Sequence, residues 1–195
     1  CTSRGLGDVY KRQSLDSSPT SAIMRGHKKY FDQIEELTEE QFQKEKDIVD
    51  TFIQRLNAIE KDNLTSREKV THGMLEFALS SNKDSLLDRS WEFGAGVAGF
   101  TGFLIDYNQQ MFVPDSESAD MMLKRLELYK RLYTQIADVQ KLGLNNNRVA
   151  TERNLLRTID QLENYLASSL DQDPLLLVNF SPCLLYTSDA ADDRC

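Results

Sequence analysis

The stretch DMMLKRLELYKRLYTQIADVQKLGL, residues Asp120–Leu144, decides the fold, because its apolar residues recur every three or four positions. This spacing places them on one side of an α-helix. We predict a helix over residues 117–142, followed by Gly143 at the left-handed helix end that favours glycine. The predicted apolar stripe consists of Ala119, Met122, Leu126, Tyr133, Ile136 and Val139.

The next stretch, RVATERNLLRTIDQLENYL (Arg148–Leu166), repeats this pattern. It predicts a helix over residues 147–170 that ends at Asp173-Pro174, because proline cannot continue a helix. The break between the two helices is short, and short breaks join antiparallel neighbours. The stripe of this helix consists of Leu155, Leu156, Ile159, Leu162 and Leu166.

Upstream, the sequence predicts a second antiparallel pair, over residues 38–61 and 65–80. Each helix starts with a capping-box pattern, Thr38-x-x-Gln41 and Thr65-x-x-Glu68, in which the side chains satisfy free backbone donors. The fold class is therefore all-α, built from antiparallel helix pairs. The apolar stripes are Phe42, Val49, Phe52, Ile53, Leu56 and Ile59 in the first helix, and Val70, Met74, Phe77 and Ala78 in the second. The side chains expected to be most buried are Phe52, Leu56, Leu126, Ile136, Ile159 and Leu162.

Two segments lack helical spacing. Residues 14–29 are polar and contain Pro19 and Gly26, which predicts a linker or frayed end. Residues 90–114 are rich in glycine and hold the only tryptophan, which predicts an irregular segment with a short helix near residues 100–110. The run Gly94–Gly99 matches G-x-G-x-x-G, but a dinucleotide site needs a buried strand before it. The preceding residues are too charged for such a strand, so we expect a flexible or closely packed backbone.

The two ends of the chain carry a relationship at the DNA level. One back-translation of Asp8–Gln13 has a reverse complement that, shifted by one base, encodes Cys183–Ser188. The shared DNA resembles the end of a transposase-based sequencing library, so residues 1–13 and 183–195 are interpreted as translated adapter tails. The alternative is two ordinary tails with a chance relationship. On the adapter interpretation, residues 14–182 are a piece of a larger helical domain, and the tails should make few contacts with it.

The charge balance narrows the function classes. The chain has a net charge of −8 without a basic stripe, which argues against binding to nucleic acid. No apolar run approaches the roughly 18 residues that a membrane span needs. All three cysteines, Cys1, Cys183 and Cys195, lie in the proposed tails, so residues 14–182 offer no thiol chemistry and no cysteine zinc site.

No residue of the chain is predicted to be catalytic, cofactor-binding or metal-binding. His72 and Glu76 are four apart and share a helix face, but a catalytic zinc site needs three protein ligands and no H-E-x-x-H pattern occurs. We expect a polar surface pair there. The acidic run from Glu35 to Glu40 is typical of a solvated helix entry.

The order of these features resembles the N-terminal part of the mainly bacterial domain-of-unknown-function family 885. The similar pieces are the LTEEQF entry (Leu37–Phe42), the LTSREKV entry (Leu64–Val70), the long helix of Asp120–Leu144, and Arg148–Leu166 followed by DPLL (Asp173–Leu176). The similarity runs from about residue 30 to residue 180, and it rests on spacing and order.

The resemblance implies a helical zinc peptidase whose zinc motif lies in a C-terminal part beyond this sequence. It implies that this chain is the N-terminal wall of a substrate cleft, inactive alone, with zinc bound only in the missing part and a peptide as substrate. The alternative is a helical scaffold or partner-binding module without chemistry. Many members of the family resemble exported proteins, some of them lipoproteins, but localisation stays open for this chain.

Overall fold

A computed structural model of the chain describes residues 3–93, 110–173, 176 and 178–180. Within these ranges the fold is predominantly helical, which confirms the predicted class. The α-helices are α1 (Ser3–Ser17), α2 (Pro19–Met24), α3 (Glu39–Asn57), α4 (Ser66–Leu87), α5 (Ser116–Asn145) and α6 (Glu152–Ala167). One-turn 3-10 helices occur at Lys28–Tyr30, Lys61–Asn63, Ser90–Phe93 and Leu170–Gln172.

The helix starts follow the predicted caps. The Thr38 side chain accepts a hydrogen bond from the backbone N–H of Gln41, and Thr65 and Glu68 form a complete capping box. Helices α3 and α4 pack against each other across the short turn at residues 58–65, so the first predicted pair is confirmed. None of the helices in the described ranges is long and apolar enough to cross a membrane.

The main core lies between α1, α3, α4 and α5. Phe52, Leu56 and Ile136 are buried in it as predicted, and Leu126 is half-buried at its edge. The apolar stripe predicted for α4 is wrong, because a different side of this helix faces the core. Its buried residues are His72, Leu79 and Leu86, whereas Val70, Met74 and Phe77 are exposed.

Helix α6 forms where the sequence predicts a helix, but it buries little. Thr158 is its one buried residue within the described chain. Ile159 is 48% exposed and Leu162 is half-buried, so the prediction that both are largely buried is wrong for Ile159 and too strong for Leu162. The reason is that α6 makes few close contacts with the other described elements, so the predicted packing of residues 147–170 on residues 117–142 is not seen there.

Residues 14–29, which the sequence analysis predicted to be a linker, pack into a second core. Helix α2 buries Ala22 and Ile23 against Tyr30, Phe31 and Met122. The prediction of a linker over residues 14–29 is therefore wrong, because Pro19 occupies the first position of a helix, where its missing N–H costs nothing. A two-stranded parallel sheet, β1 (Phe112–Val113) with β2 (Asn179–Phe180), borders this core.

A buried arginine joins the two cores. Arg125 on α5 is fully buried, and its guanidinium donates to the carbonyl of Gln33 and to the hydroxyl of Thr20 at 2.6 Å. Thr20 in turn donates to Glu35 through its hydroxyl at 2.6 Å and its backbone N–H at 2.9 Å. These bonds hold residues 20–35 against α5, and we call them the Arg125 clamp.

The expectation that residues 1–13 make few contacts is wrong for the part that the structure describes. Helix α1 packs against α3 and α4, Leu6 is buried in the main core, and the Tyr10 ring meets Phe52 edge-on at 5.3 Å. Leu6, Val9 and Tyr10 recur at helical spacing, so this segment forms an apolar stripe whatever the origin of its DNA. The adapter origin itself stays a prediction.

Candidate functional site

A groove opens where α3 begins and α4 ends, and it is formed by parts of the chain far apart in sequence. Its volume is about 500 Å³. Such a volume lies within the usual range of roughly 300–1,000 Å³ for ligand pockets. The floor is apolar and the mouth is charged: Phe42, Leu86, Leu87 and Trp91 form the floor, and Glu39, Glu40, Lys46 and Arg89 surround it.

Trp91 is fixed at one end of this groove. Its ring stacks on Phe42 with the centroids 4.2 Å apart, and the guanidinium of Arg89 lies 5.4 Å from its centroid. Arg89 has a φ of 49°, in the left-handed region, and this residue turns the chain out of α4. A non-glycine residue there costs of order 1–3 kcal/mol. The strain is offset by the bonds of Arg89 to the Glu39 and Glu92 carboxylates, at 2.7 and 2.5 Å.

Glu92 is a fully buried carboxylate just behind Trp91. Besides Arg89, it accepts a hydrogen bond from the Asn146 side chain at 3.0 Å and pairs with Arg148 at 3.1 Å. A buried charge needs such partners, because burial alone costs many kcal/mol. Since its partners come from the ends of both α4 and α5, Glu92 braces the groove wall. We call these four residues the Glu92 brace.

Gly143 has no side chain, so the backbones of Glu92 and Arg148 can approach it closely and the brace can form. A Cβ at this position would lie 2.6 Å from the Glu92 carbonyl oxygen and 2.7 Å from that of Arg148. The sequence analysis assigned Gly143 to a left-handed helix end, and this is wrong: α5 continues to Asn145, and the left-handed residue is Asn147, with a φ of 56°. The glycine is needed for space between backbones.

Comparison with known proteins identifies the family of this chain. The family described as "Bacterial protein of unknown function (DUF885)" matches residues 19–193. The chain belongs to this family. The match takes in α2 through α6 and also residues 183–193, which the sequence analysis attributes to an adapter. No curated protein and no solved structure matches the chain.

The lining of the groove in this DUF885 chain offers charged and apolar contacts to a ligand. Glu92 Oε1 accepts hydrogen bonds from Arg89 and Asn146, whereas Oε2 accepts none from the described residues and lies 3.1 Å from Nε of Arg148. Charged groups at the mouth and apolar rings on the floor suit a ligand that combines an apolar side chain with a polar backbone.

The described residues of this DUF885 chain do not form a metal site. They contain no group of three or more histidine, cysteine, aspartate or glutamate side chains that could hold an ion. His72 is buried, contrary to the expected surface pair, because its ring Nε2 lies 3.3 Å from the Leu56 carbonyl. Its Nδ1 lies 3.8 Å from the Glu76 carboxylate. The segment Gly94–Gly99 lies outside the described residues.

Sequence reasoning missed every residue of the groove and the brace as a functional residue. Two signals were present. Trp91 is the only tryptophan of the chain and follows directly on the charged end of a helix. Arg125 stands within the apolar spacing of Met122, Tyr129 and Ile136, where a charge must find a buried partner.

Proposed function

We propose that this DUF885 chain forms one wall of the substrate cleft of a zinc-dependent peptidase and binds an extended peptide in the groove beside Trp91. The proposal rests on one observation, a groove of about 500 Å³ with an apolar floor and a charged mouth. An extended peptide offers apolar side chains at alternate positions and backbone groups between them.

The groove is held open before any ligand arrives. Trp91 is stacked on Phe42, and the Arg89 guanidinium lies 5.4 Å from the Trp91 ring centroid. Leu87 lines the floor while 54% of its surface is exposed, so a ligand can cover apolar area that is now in water. A preformed groove favours binding, because the side chains lose little further freedom.

The proposed peptidase would bind zinc, but not through the residues described here. The described part of the chain does not fit a zinc site, so we place the metal in a part of the full protein beyond this sequence. The residues described here would therefore bind and orient a peptide, and no hydrolytic step is assigned to them.

A scaffold without chemistry is the second candidate. The observation that favours it is the uncovered leucine side of α6, where Leu155, Leu156 and Leu166 are all exposed. A helix with such a side commonly packs on a partner. This candidate predicts no hydrolysis by the full-length protein and no peptide binding in the groove.

Trp91 gives a direct binding assay, because it is the only tryptophan of the chain. The chain is titrated with a capped hexapeptide that has leucine at its centre, and with a matched peptide that has glutamate there. We expect the leucine peptide to change the Trp91 emission in a saturable way and the glutamate peptide to bind at least roughly tenfold more weakly. Leu87→Glu should abolish the change, whereas Leu123→Glu, an exposed site on α5 outside the groove, should not.

The peptidase part is tested on the gene at its full native length. Bound zinc is measured by atomic absorption, and peptide hydrolysis is measured with and without Leu87→Glu. We expect the substitution to raise KM with little change in kcat, since the groove binds peptide away from the reacting bond. Groove binding without zinc or hydrolysis would remove the enzyme and leave a peptide-binding module.

A further inference from the structure

Two charged side chains at the groove mouth are not neutralised by any other described residue. Glu40 and Lys46 both line the groove, and neither forms an ion pair within the part of the chain that the structure describes. The other two mouth charges pair with each other, because the Arg89 guanidinium lies 2.7 Å from the Glu39 carboxylate. One negative and one positive charge of the groove can therefore meet charges of a ligand.

Lys46 has an acidic neighbour one turn further along α3, Asp50, which is already paired. The ammonium group of Lys83 lies 2.7 Å from the Asp50 carboxylate. The pKa of Asp50 is lowered mainly by this hydrogen bond from Lys83 and least by the charge of Lys46. Lys46 is also half-buried, so the ammonium group at the groove is available to a carboxylate from outside the chain.

Glu40, Gln43 and Lys46 follow one another at intervals of three residues along α3, so they form one row on the helix surface. All three line the groove. The ends of this row lie roughly 9 Å apart along the helix axis, at about 1.5 Å per residue. An extended peptide rises about 3.3 Å per residue, so the terminal groups of a chain of about three residues span that distance.

The groove between the two charges offers polar and apolar contacts. Gln43 donates a side-chain N–H to Asp47 at 2.8 Å, which leaves its carbonyl oxygen to accept from a peptide N–H. Leu87 on α4 is 54% exposed and lines the groove, so it offers apolar area to a side chain of the ligand. The groove thus matches a ligand with opposite charges at its ends, a polar backbone and an apolar centre.

We propose that the groove selects free peptides of about three residues that have an apolar central side chain. The N-terminal ammonium lies at Glu40, the peptide backbone passes Gln43, and the C-terminal carboxylate lies at Lys46. The peptide therefore runs in the same direction as α3. This inference rests on the proposed peptide-binding function, and it adds the length, the free ends and the direction of the ligand.

The two free charges favour the ends of a peptide over the interior of a longer chain. An internal segment, including any segment from elsewhere in the full-length protein, presents neutral backbone amides to Glu40 and Lys46. Such a segment would cover both charges without compensating them, and a charge taken out of water without a partner costs free energy. A free tripeptide brings one ammonium and one carboxylate, so it is complementary in charge at both ends.

Four forms of the peptide Ala-Leu-Ala test the free ends: unblocked, acetylated, amidated, and blocked at both ends. Binding is followed through the emission of Trp91. Ion pairs near the surface are weak, so each block should weaken binding about two- to fivefold, and the difference should shrink as salt is added. Equal binding of all four forms overturns the inference but leaves the groove as a peptide site. If neither these peptides nor the capped hexapeptide binds, the proposed function fails as well.

Substitutions at the two charges test the direction. Lys46→Gln should abolish the effect of amidation and keep that of acetylation, and Glu40→Gln should do the reverse. Lys44→Gln, at an exposed position on α3 outside the groove, is the control for the change of net charge and should alter neither effect. An effect of amidation that survives Lys46→Gln shows that the carboxylate lies elsewhere, which overturns the proposed direction.

A longer peptide tests the span. The terminal groups of unblocked Ala-Ala-Leu-Ala-Ala lie roughly 16 Å apart when the peptide is extended, so this peptide can meet only one of the two charges at a time. We expect it to bind about two- to fivefold more weakly than unblocked Ala-Leu-Ala. Equal or tighter binding of the longer peptide shows that the groove does not select by length, and this result contradicts the proposal.

A segment from the rest of the full-length protein is the alternative occupant of the groove. Calorimetric titration of the full-length protein with unblocked Ala-Leu-Ala separates the two. We expect the full-length protein to bind the tripeptide as this chain does, and Lys46→Gln to lower that affinity about two- to fivefold. If this chain binds the tripeptide and the full-length protein does not, another segment fills the groove and the inference is wrong.

Discussion

Replacing Arg125 by alanine should destabilise the fold strongly, because the Arg125 clamp joins the two cores. The Arg125 side chain is fully buried and donates to Thr20 and to the Gln33 carbonyl. Thr20 passes the interaction on to Glu35. Arg131, further along α5, also donates to the Ile34 and Glu35 carbonyls, but at 3.5 Å.

The magnitude follows from what the substitution leaves behind. Arg125→Ala removes two hydrogen bonds from a charged donor, to the Gln33 carbonyl and the Thr20 hydroxyl. Each hydrogen bond of this kind contributes about 1.5–3 kcal/mol. Arg131, on the same helix, is the matched control: its side chain is 40% exposed and its bonds to the Ile34 and Glu35 carbonyls are 3.5 Å long. An exposed arginine of this kind contributes below about 1 kcal/mol. The two alanine variants should therefore differ by at least about 2 kcal/mol.

Urea denaturation followed by far-ultraviolet circular dichroism measures both variants. The midpoint of Arg125→Ala should fall while the slope stays constant, since the surface exposed on unfolding barely changes. A double-mutant cycle with Thr20→Val should show a coupling of about 0.5–3 kcal/mol. If Arg125→Ala costs no more than Arg131→Ala, or if the cycle shows no coupling, the reasoning about the clamp is refuted.

Further outcomes follow from the structure. Burial raises the pKa of Tyr165 from 10.0 to about 12, so stability in urea should fall as pH rises between these values, where only the unfolded phenol ionises. A lysine and a serine hold the pKa of Asp115 at about 2 against an ordinary 3.8, so stability should fall as pH drops through that window. Gly143→Ala should cost roughly 1–3 kcal/mol by forcing backbones apart, whereas Gly73→Ala should stabilise the fold by up to about 1 kcal/mol. Leu6→Ala should cost about 2–5 kcal/mol, and no change in its thermal melting would show that α1 does not pack.

Local signals in the sequence predicted the helices well. Apolar spacing and the caps at Thr38 and Thr65 identified α3 to α6 to within a few residues at most ends, because these signals depend on neighbours in the chain. The face of α4 was predicted wrongly for a definite reason. This helix has two apolar stripes, one through Leu79 and one through Met74, and spacing alone does not say which stripe meets the core.

The other features of the fold depend on contacts between residues far apart in sequence, and local sequence patterns do not predict such contacts. The Arg125 clamp joins residues 105 positions apart, and the bond between Asn146 and Glu92 joins residues 54 positions apart. A charge within an apolar stripe indicates that a buried partner exists, but it does not identify the partner. The groove was unpredictable for the same reason, since its floor needs the end of α4 to return to the start of α3.

Helix α1 packs on the main core although it lies outside the family match. The family match begins at Pro19, after α1 has ended, yet Leu6 and Tyr10 pack on the sides of α3 and α4. Hydrophobic burial is not directional, so an amphipathic segment can cover apolar helix sides without having evolved to fit them. The exposed side of α4 at Val70, Met74 and Phe77 and the leucine side of α6 present the same kind of surface, with nothing packed on them in the described chain. Whichever partner meets these surfaces, specificity must come from the charges beside the leucines and phenylalanine, since the apolar residues themselves accept many partners.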